Sequence, residues 1–422
     1  MVFELGNAEV LGLAGLFLIV GNMIKDRVGI LSRFFIPAPV IGGLLFSLIV
    51  LVGHQTHLFD FEFDNTMRDL LLIMFFTTIG FTASLEMLKK GGIAVALFIA
   101  CCTLLVLLQN VIGVSLAQLL GVHPLIGLAA GSVSLTGGHG TSAAFGPLLE
   151  QKGAVGALPA SLAAATWGLV AGSMIGGPLG LRLLRRRRIS RPLPEADGTA
   201  AVPAEDELLT DDADNEGAGP ETPAAEGPQG PLDRAARRQP VSLLAVIFLC
   251  FAIGIGGAVY AVLEDHHITI PAYLTAMVVA AIIRNYIDWR GHRFPVREME
   301  TISEISLGFF LVLALMSMKL WELADIFGPI LIILVVQTIV VFFFAYYITY
   351  LIMGRDYDAA TLAVGHCGVG LGATPNAMAN IQAFTLANGP SPKAFFVIPI
   401  VGSLFIDFIN AIVITVFVNV FA

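Results

Sequence analysis

"GGHGTSAAF", Gly137 to Phe145, is the stretch on which the reading of this chain turns. Three glycines, a histidine and two hydroxyls make poor material for a lipid-facing helix. Yet they sit in a chain of 422 residues that is 56% hydrophobic and only 13% charged, with a mean hydropathy of +0.84. A soluble domain carries about 25% charged residues, so the surroundings read as a membrane protein and the stretch as an interruption in it. Irregular backbone at membrane depth is tolerated only where it is buried in protein or lines a cavity.

Outward from that stretch, apolar runs near the length that crosses a bilayer core recur. Ten spans are expected, at residues 7–24, 36–53, 69–88, 92–120, 157–184, 241–263, 271–287, 301–320, 329–352 and 394–420. Two segments, 125–152 and 359–388, are left over, too polar and too broken by glycine for ordinary spans. The first ten residues, "MVFELGNAEV", lack a basic run and do not read as a cleaved leader. Positive charge flanking spans tends to stay in the cytoplasm. With the N-terminus outside and each leftover segment re-entering on its own side, 20 of the 23 Lys and Arg fall inside. Only Arg68, Lys152 and Lys319 fall outside. A full crossing by 125–152 would instead carry "RLLRRRR" (182–188) outside.

The net charge of −9 belongs to one segment. Residues 195–233 hold 12 of the 32 acidic residues and no Lys or Arg, and the remainder of the chain carries +3. This Pro-, Ala-, Gly- and acid-rich run cannot bury enough apolar surface to fold. Residues 189–240 are therefore expected to form a disordered cytoplasmic linker between membrane repeat 1 (1–188) and membrane repeat 2 (241–422). The four cysteines form no CxxC pair and read as small packing residues.

The two halves match in register. Ile36-Pro37-Ala38 pairs with Ile270-Pro271-Ala272 at an offset of 234. Ser84 pairs with Ser317, and "GGHGTS" (137–142) with "GLGATP" (370–375), at 233. Five spans per half give the halves opposite orientation. Inverted repeats broken at equivalent places point to a secondary transporter with its site near the midplane.

Each break offers chemistry. Leu125 to Thr136 would form a helix of about 18 Å, ended by the glycines, with Thr141 capping a second short helix. In the other half Thr374 reads as an N-cap with Pro375 at the first helical position, and Asn376 and Asn380 follow on one face. Helix N-termini bind anions. No Lys or Arg lies near the middle of a span, so an anionic substrate would depend on N–H groups, hydroxyls, amides and a co-bound cation. Asp407 lies in the middle of the last span. An intramembrane carboxylate is by default a functional candidate, for a cation, a proton or a substrate ammonium, and a structural hydrogen-bonded acid is the alternative. Asn410 is one turn on, and hard oxygen donors suit a hard cation. Gln109 and Gln337 read as interhelical hydrogen-bonding groups or as substrate contacts, Gln337 the stronger candidate. His139 and His366 read as hydrogen-bonded packing residues, with a proton relay as the alternative.

The motifs "LTGGHGTSAAFGP" (135–147), "GLVAGSMIGGP" (168–178), "MSMKLWELA" (316–324), "LVVQTI" (334–339), "YDAATLAVGHCGVGLGATPNAMANIQA" (357–383) and "VIPIVGSLFIDFINAIVI" (397–414) resemble the bacterial sodium/glutamate symporter family. The resemblance covers both membrane halves and not the acidic segment. It implies an all-α polytopic membrane protein of ten transmembrane helices in two inverted five-helix repeats, each with a re-entrant hairpin (125–152 and 359–388). It also implies Na+-coupled uptake of L-glutamate by an elevator-like motion, a homodimer in the bacterial inner membrane, both termini periplasmic, and no enzymatic or nucleic-acid role. By motif position the substrate-site candidates are Gly138, Gly140, Thr141, Thr374, Asn376 and Asn380, with Asp407 for Na+; the reading of the residues themselves adds Ser142 and Gln337 for substrate and Asn410 for Na+. Ser142 and Asn376 depart from the family pattern, which leaves another carboxylate, another amino acid or H+ coupling as the alternative. A channel or an intramembrane enzyme is the more distant reading.

Overall fold

A computed structural model describes residues 2–34, 36–189, 241–265, 271–292 and 294–421. The expected linker falls almost wholly outside these residues. Helices make up nearly all of the described chain. The first half contains α1 (Asn7–Arg27), α2 (Gly29–Arg33), α3 (Ala38–Gln55), α4 (Thr66–Thr82), α5 (Leu85–Leu119), α6 (Pro124–Ala129), α7 (Gly138–Gln151) and α8 (Ala157–Arg187). The second contains α9 (Val241–Asp265), α10 (Ala272–Trp289), α11 (Val296–Met316), α12 (Phe327–Ile352), α13 (Tyr357–Leu371), α14 (Thr374–Asn388), α15 (Pro392–Leu404) and α16 (Ile406–Phe421). The all-α expectation needs one amendment. Val2–Leu5 (β1) and Asp60–Phe63 (β2) pair as a short parallel ladder at one end of the molecule. The alternating "DFEF" is only four residues long, too short a run to read as a strand without its partner.

Among the described residues seven helices are long and apolar enough to cross a membrane, and the α15–α16 pair, bent by 44°, is an eighth. The two other expected spans correspond to α4 and α10, of 17 and 18 residues. At 1.5 Å per residue they are about 26 and 27 Å long, slightly less than a bilayer core of about 30 Å.

Local sequence explains where the elements begin. Pro37 and Pro271 occupy equivalent N-caps, with φ/ψ of −64°/139° and −61°/138°, and each starts an 18-residue helix. Small residues then let helices touch. A Cβ on Gly21 or Gly42 would overlap backbone across the α1–α3 contact, and one on Gly256 would do so between α9 and α10. Gly80 approaches Met277 across the α4–α10 contact, and Gly43 approaches Leu315 across α3–α11. Close backbone approach is the usual basis of helix association in lipid.

Two layers result. Helices α1, α3, α4, α9, α10 and α11 pack on one another through clusters that include Phe46, Val312 and Met316, and Phe81, Leu249 and Met299. The second layer is α5, α8, α12, the pairs α6/α7 and α13/α14, and α15–α16, held by a cluster that includes Phe98, Val364, Ile381 and Val401. A larger cluster joins the layers. Among the described residues two connections cross between them. At one, Asn285 donates to Ala83 O (2.8 Å) and accepts from Leu85 N (2.7 Å). At the other, Trp321 stacks on His54 with centroids 3.9 Å apart.

Candidate functional site

The site is built by two helical pairs entering from opposite ends of α8. Gly156, just before α8, packs against Glu322 O on the side where α6/α7 turns back. Arg187, the last residue of α8, lies 5.9 Å from the centre of the Tyr350 ring, beside the base of α13/α14. Between these ends α8 carries both pairs. His139 Nε2 is 3.0 Å from Thr166 Oγ1, and Ser142 Oγ donates to Ser161 O (3.1 Å). Farther along, Gly168, Gly172, Gly176 and Gly180 form a face at four-residue spacing that seats α13 and α14. A Cβ on Gly168 would overlap Leu371 O, and the other three lie against Asn376, Asn380 and Phe384. The i, i+4 glycines of "GLVAGSMIGGP" carry this signal, which the sequence reading did not extract.

The two pairs meet tip to tip. Gly138 has φ +64°, a left-handed conformation that suits glycine, and a Cβ there would lie 3.0 Å from Gly372 O. The second tip is a clean break, where the 15-residue α13 and the 15-residue α14 are separated by Gly372 and Ala373. The first tip differs from expectation. Its leading helix is Pro124–Ala129, six residues rather than twelve, and residues 130–137 run on as consecutive turns. The reason is tertiary: Ser132 N donates to Asn110 Oδ1 of α5 (2.9 Å), and Gly113 and Gly127 press backbone on backbone.

The caps also shift. α7 begins at Gly138 with Gly137 as N-cap, so Thr141 lies inside the helix and does not cap it. α14 is capped by Ala373, Thr374 is its first residue and Pro375 follows, with no side-chain cap bond. In both cases the glycine-rich break lets the helix begin earlier than a cap at the hydroxyl residue would.

A third element passes the tips. α15 runs close enough to α14 that a Cβ on Gly402 would lie 2.5 Å from Thr374 Oγ1. The chain then bends at Phe405 and restarts as α16, placing Asp407 in its first turn, where the helix dipole favours a negative charge. Asp407 is half-buried, and its carboxylate has no hydrogen bond or ion pair among the described residues. Asn410, fully buried one turn later, donates to Ser132 O (3.0 Å), and its Oδ1 has no partner. A Cβ on Gly137 would lie 2.6 Å from Thr141 Oγ1 and 2.8 Å from Asn410 Nδ2, so both polar groups border the space that glycine leaves. Ser132 Oγ and Asn110 Nδ2 nearby are likewise buried and unpartnered.

Buried polar atoms normally find partners. Two unpartnered oxygens around one tip, Ser132 Oγ and Asn410 Oδ1, with the unpaired carboxylate one turn before Asn410, are hard donors suited to a cation with oxygen ligands, while the free Asn110 Nδ2 can only donate a hydrogen bond. Among the described residues no three His, Cys, Asp or Glu side chains converge, and the donors here are carboxylate, amide, hydroxyl and carbonyl.

The remaining candidates face protein. Asn376 Oδ1 accepts from Ser173 Oγ (2.6 Å) and Nδ2 donates to Leu169 O (3.2 Å); Asn380 donates to Gly172 O (3.0 Å). Gly140 packs against Phe75 and Leu307 of the other layer. Gln337 Nε2 donates to Gln109 O (2.6 Å). Gln109 does more than its sequence reading suggested. Its Oε1 accepts from Thr136 (2.7 Å) and its Nε2 donates to Gly370 O (2.7 Å), so one buried amide ties the two tips together.

Comparison with known proteins gives the family. The family model for the sodium/glutamate symporter matches residues 3–219 and 221–390. The sodium/glutamate symporter of Escherichia coli strain K12 is 38% identical over 418 residues, 99% of this chain and 98% of its own length. That of Haemophilus influenzae is 38% identical over 414 residues, 97% and 96%. With both glycine-broken tips inside the family match and 99% of the chain aligned to the Escherichia coli protein, this chain belongs to the sodium/glutamate symporter family.

Proposed function

We propose that the chain is a secondary transporter, not an enzyme, that couples inward movement of Na+ to uptake of L-glutamate. The observation that carries the reading is the meeting of Gly138 with Gly372 beside the unpaired Asp407 and the half-partnered Asn410. Two helix N-termini there present free N–H groups to glutamate carboxylates, with the hydroxyls of Thr141 and Thr374 beside them. Na+, as cargo, takes the carboxylate of Asp407 and the free oxygens of Asn410 and Ser132. The cation offsets the substrate's negative charge where no Lys or Arg is available. Asn376 and Asn380 act as anchors of the second tip on α8.

The architecture that supports this is ten spans in two inverted repeats, with 125–152 and 359–388 as re-entrant hairpins. The equivalent proline starts and the mirrored Gly80–Met277 and Gly43–Leu315 contacts favour it. A shift of 234 carries residue 43 to 277 and residue 80 to within one of Leu315. Alternating access is an elevator-like movement of the α5–α8–α12 layer, with both hairpins, past the other layer in a homodimer. Gly140 against Phe75 and Leu307 marks the sliding surface. The protein resides in the inner membrane, with termini periplasmic and residues 189–240 cytoplasmic.

The test uses purified full-length protein in proteoliposomes. An inward Na+ gradient is expected to drive concentrative L-glutamate uptake that a K+ or H+ gradient alone does not. Uptake indifferent to Na+, or driven equally by a proton gradient, overturns the coupling. Competition by aspartate and other carboxylates separates glutamate from a neighbouring substrate.

A further inference from the structure

We propose that the cleft between the ends of α8 and α12 is a binding site for the phosphate headgroup of an anionic phospholipid. The cleft has a volume of about 140 Å³ and is lined by Arg182 and Arg186 from α8 and by Phe342, Phe343, Tyr346 and Tyr347 from α12. The two arginines stand one turn apart on one face of α8. Both are exposed, and neither has an ion pair or hydrogen bond among the described residues. By contrast Arg68 and Arg284 hold Asp69 and Asp288. Among the described residues no acidic side chain lines the cleft, so none of them compensates its positive charge.

Guanidinium forks match the geometry of a phosphate. The aromatic wall then decides between a lipid and a free anion. Tyr346 and Tyr347 lie in a widened turn, Phe344–Thr349, near the end of α12, and Phe342 and Phe343 lie deeper along it. The wall thus changes from hydroxylated rings to purely apolar rings away from the helix end, as a lipid changes from headgroup to acyl chain. Phe343 and Tyr347 are 51% and 54% exposed on the outer surface. A soluble anion has no use for such rings, whereas an acyl chain covers them. None of the tip residues lines this cleft, so it is separate from the transport site. On the orientation proposed above it faces the cytoplasmic leaflet, whose anionic lipids attract basic residues there.

The experiment uses full-length protein in a neutral detergent, titrated with dioleoyl-phosphatidylglycerol, dioleoyl-phosphatidylcholine or inorganic phosphate. Thermal stabilisation and lipid adducts retained in native mass spectrometry are the readouts. Phosphatidylglycerol is expected to stabilise and to remain bound, while the other two do not. The double variant R182Q/R186Q is expected to bind it about 30-fold more weakly. The control R185Q/R188Q removes the same charge from the same helix end and is expected to keep near-normal affinity. R186Q alone serves as a milder variant should the double fail to fold, with an intermediate loss. Equal weakening in both doubles means only a diffuse basic belt and overturns the site. So does stabilisation by phosphatidylcholine to the same degree, and stabilisation by inorganic phosphate makes it a free-anion site instead.

Discussion

The two tips lie in opposite halves of the sequence and are built differently. The second joins two 15-residue helices at a two-residue break, and its polar side chains are engaged: Asn376 and Asn380 both bond to α8. The first replaces most of its leading helix with turns, and around it Ser132 Oγ, Asn110 Nδ2 and Asn410 Oδ1 have no protein partner. A satisfied network rigidifies, and an unsatisfied one is available to a ligand. The difference assigns anchoring to the second tip and ligand chemistry mainly to the first.

The largest test of that contrast is Gly168→Val. The added side chain would overlap the Leu371 carbonyl, which is backbone and cannot rotate away. Unseating the second tip is expected to cost about 3 kcal/mol, the upper end for overpacking. It should appear as a lower thermal midpoint in detergent and as loss of monodisperse protein. Normal stability would mean that the second tip is not held by α8's glycine face.

Next in size is Asp407→Asn. The carboxylate has no protein partner, so the isostere should leave stability in Na+-free buffer nearly unchanged. Ligand linkage gives about 2.7 kcal/mol of stabilisation at a hundred times the dissociation constant, and this Na+-dependent gain is what should vanish. Melting in NaCl against choline chloride reads it directly. A variant that still responds fully to Na+ would move the cation away from the bend in the last span.

A paired comparison follows. Asn376→Ala removes two hydrogen bonds, to Ser173 Oγ and Leu169 O, which is expected to cost about 2 kcal/mol. Ser132→Ala removes a hydroxyl that already lacks a partner, so its stability cost should be near zero, while the apparent Na+ and glutamate affinities fall. The reverse pattern would exchange the roles of the two tips.

Much of this was legible in the sequence. The glycine breaks locate both tips, and the prolines at 37 and 271 locate the starts of α3 and α10. The caps and the first leading helix were not legible, because tertiary partners decide them. Asn110 takes the Ser132 N–H from twenty-two residues away, and the Gly113–Gly127 contact sets the path of α6. Gln109 was read rightly as an interhelical hydrogen-bonding group, but not which groups it joins, since both of its tip partners are remote in sequence. The direction in which Asn376 faces depends on where α8 passes.

The smallest expected effect concerns Ser142, one of two departures from the family pattern that raised the prospect of a different substrate. Its hydroxyl is fully buried and donates to Ser161 O in α8, and Asn376 likewise points to α8 rather than to the gap between Gly138 and Gly372. Both departures therefore alter how the hairpins are fastened, which leaves no reason for them to retune the substrate. Ser142→Gly is expected to cost about 1 to 2 kcal/mol, from one lost hydrogen bond and a glycine inside a helix. The order of preference among glutamate, aspartate and other carboxylates in a competition assay should stay as in the parent protein. A changed order would show that Ser142 reaches the substrate, and would return the first tip's second turn to the binding site.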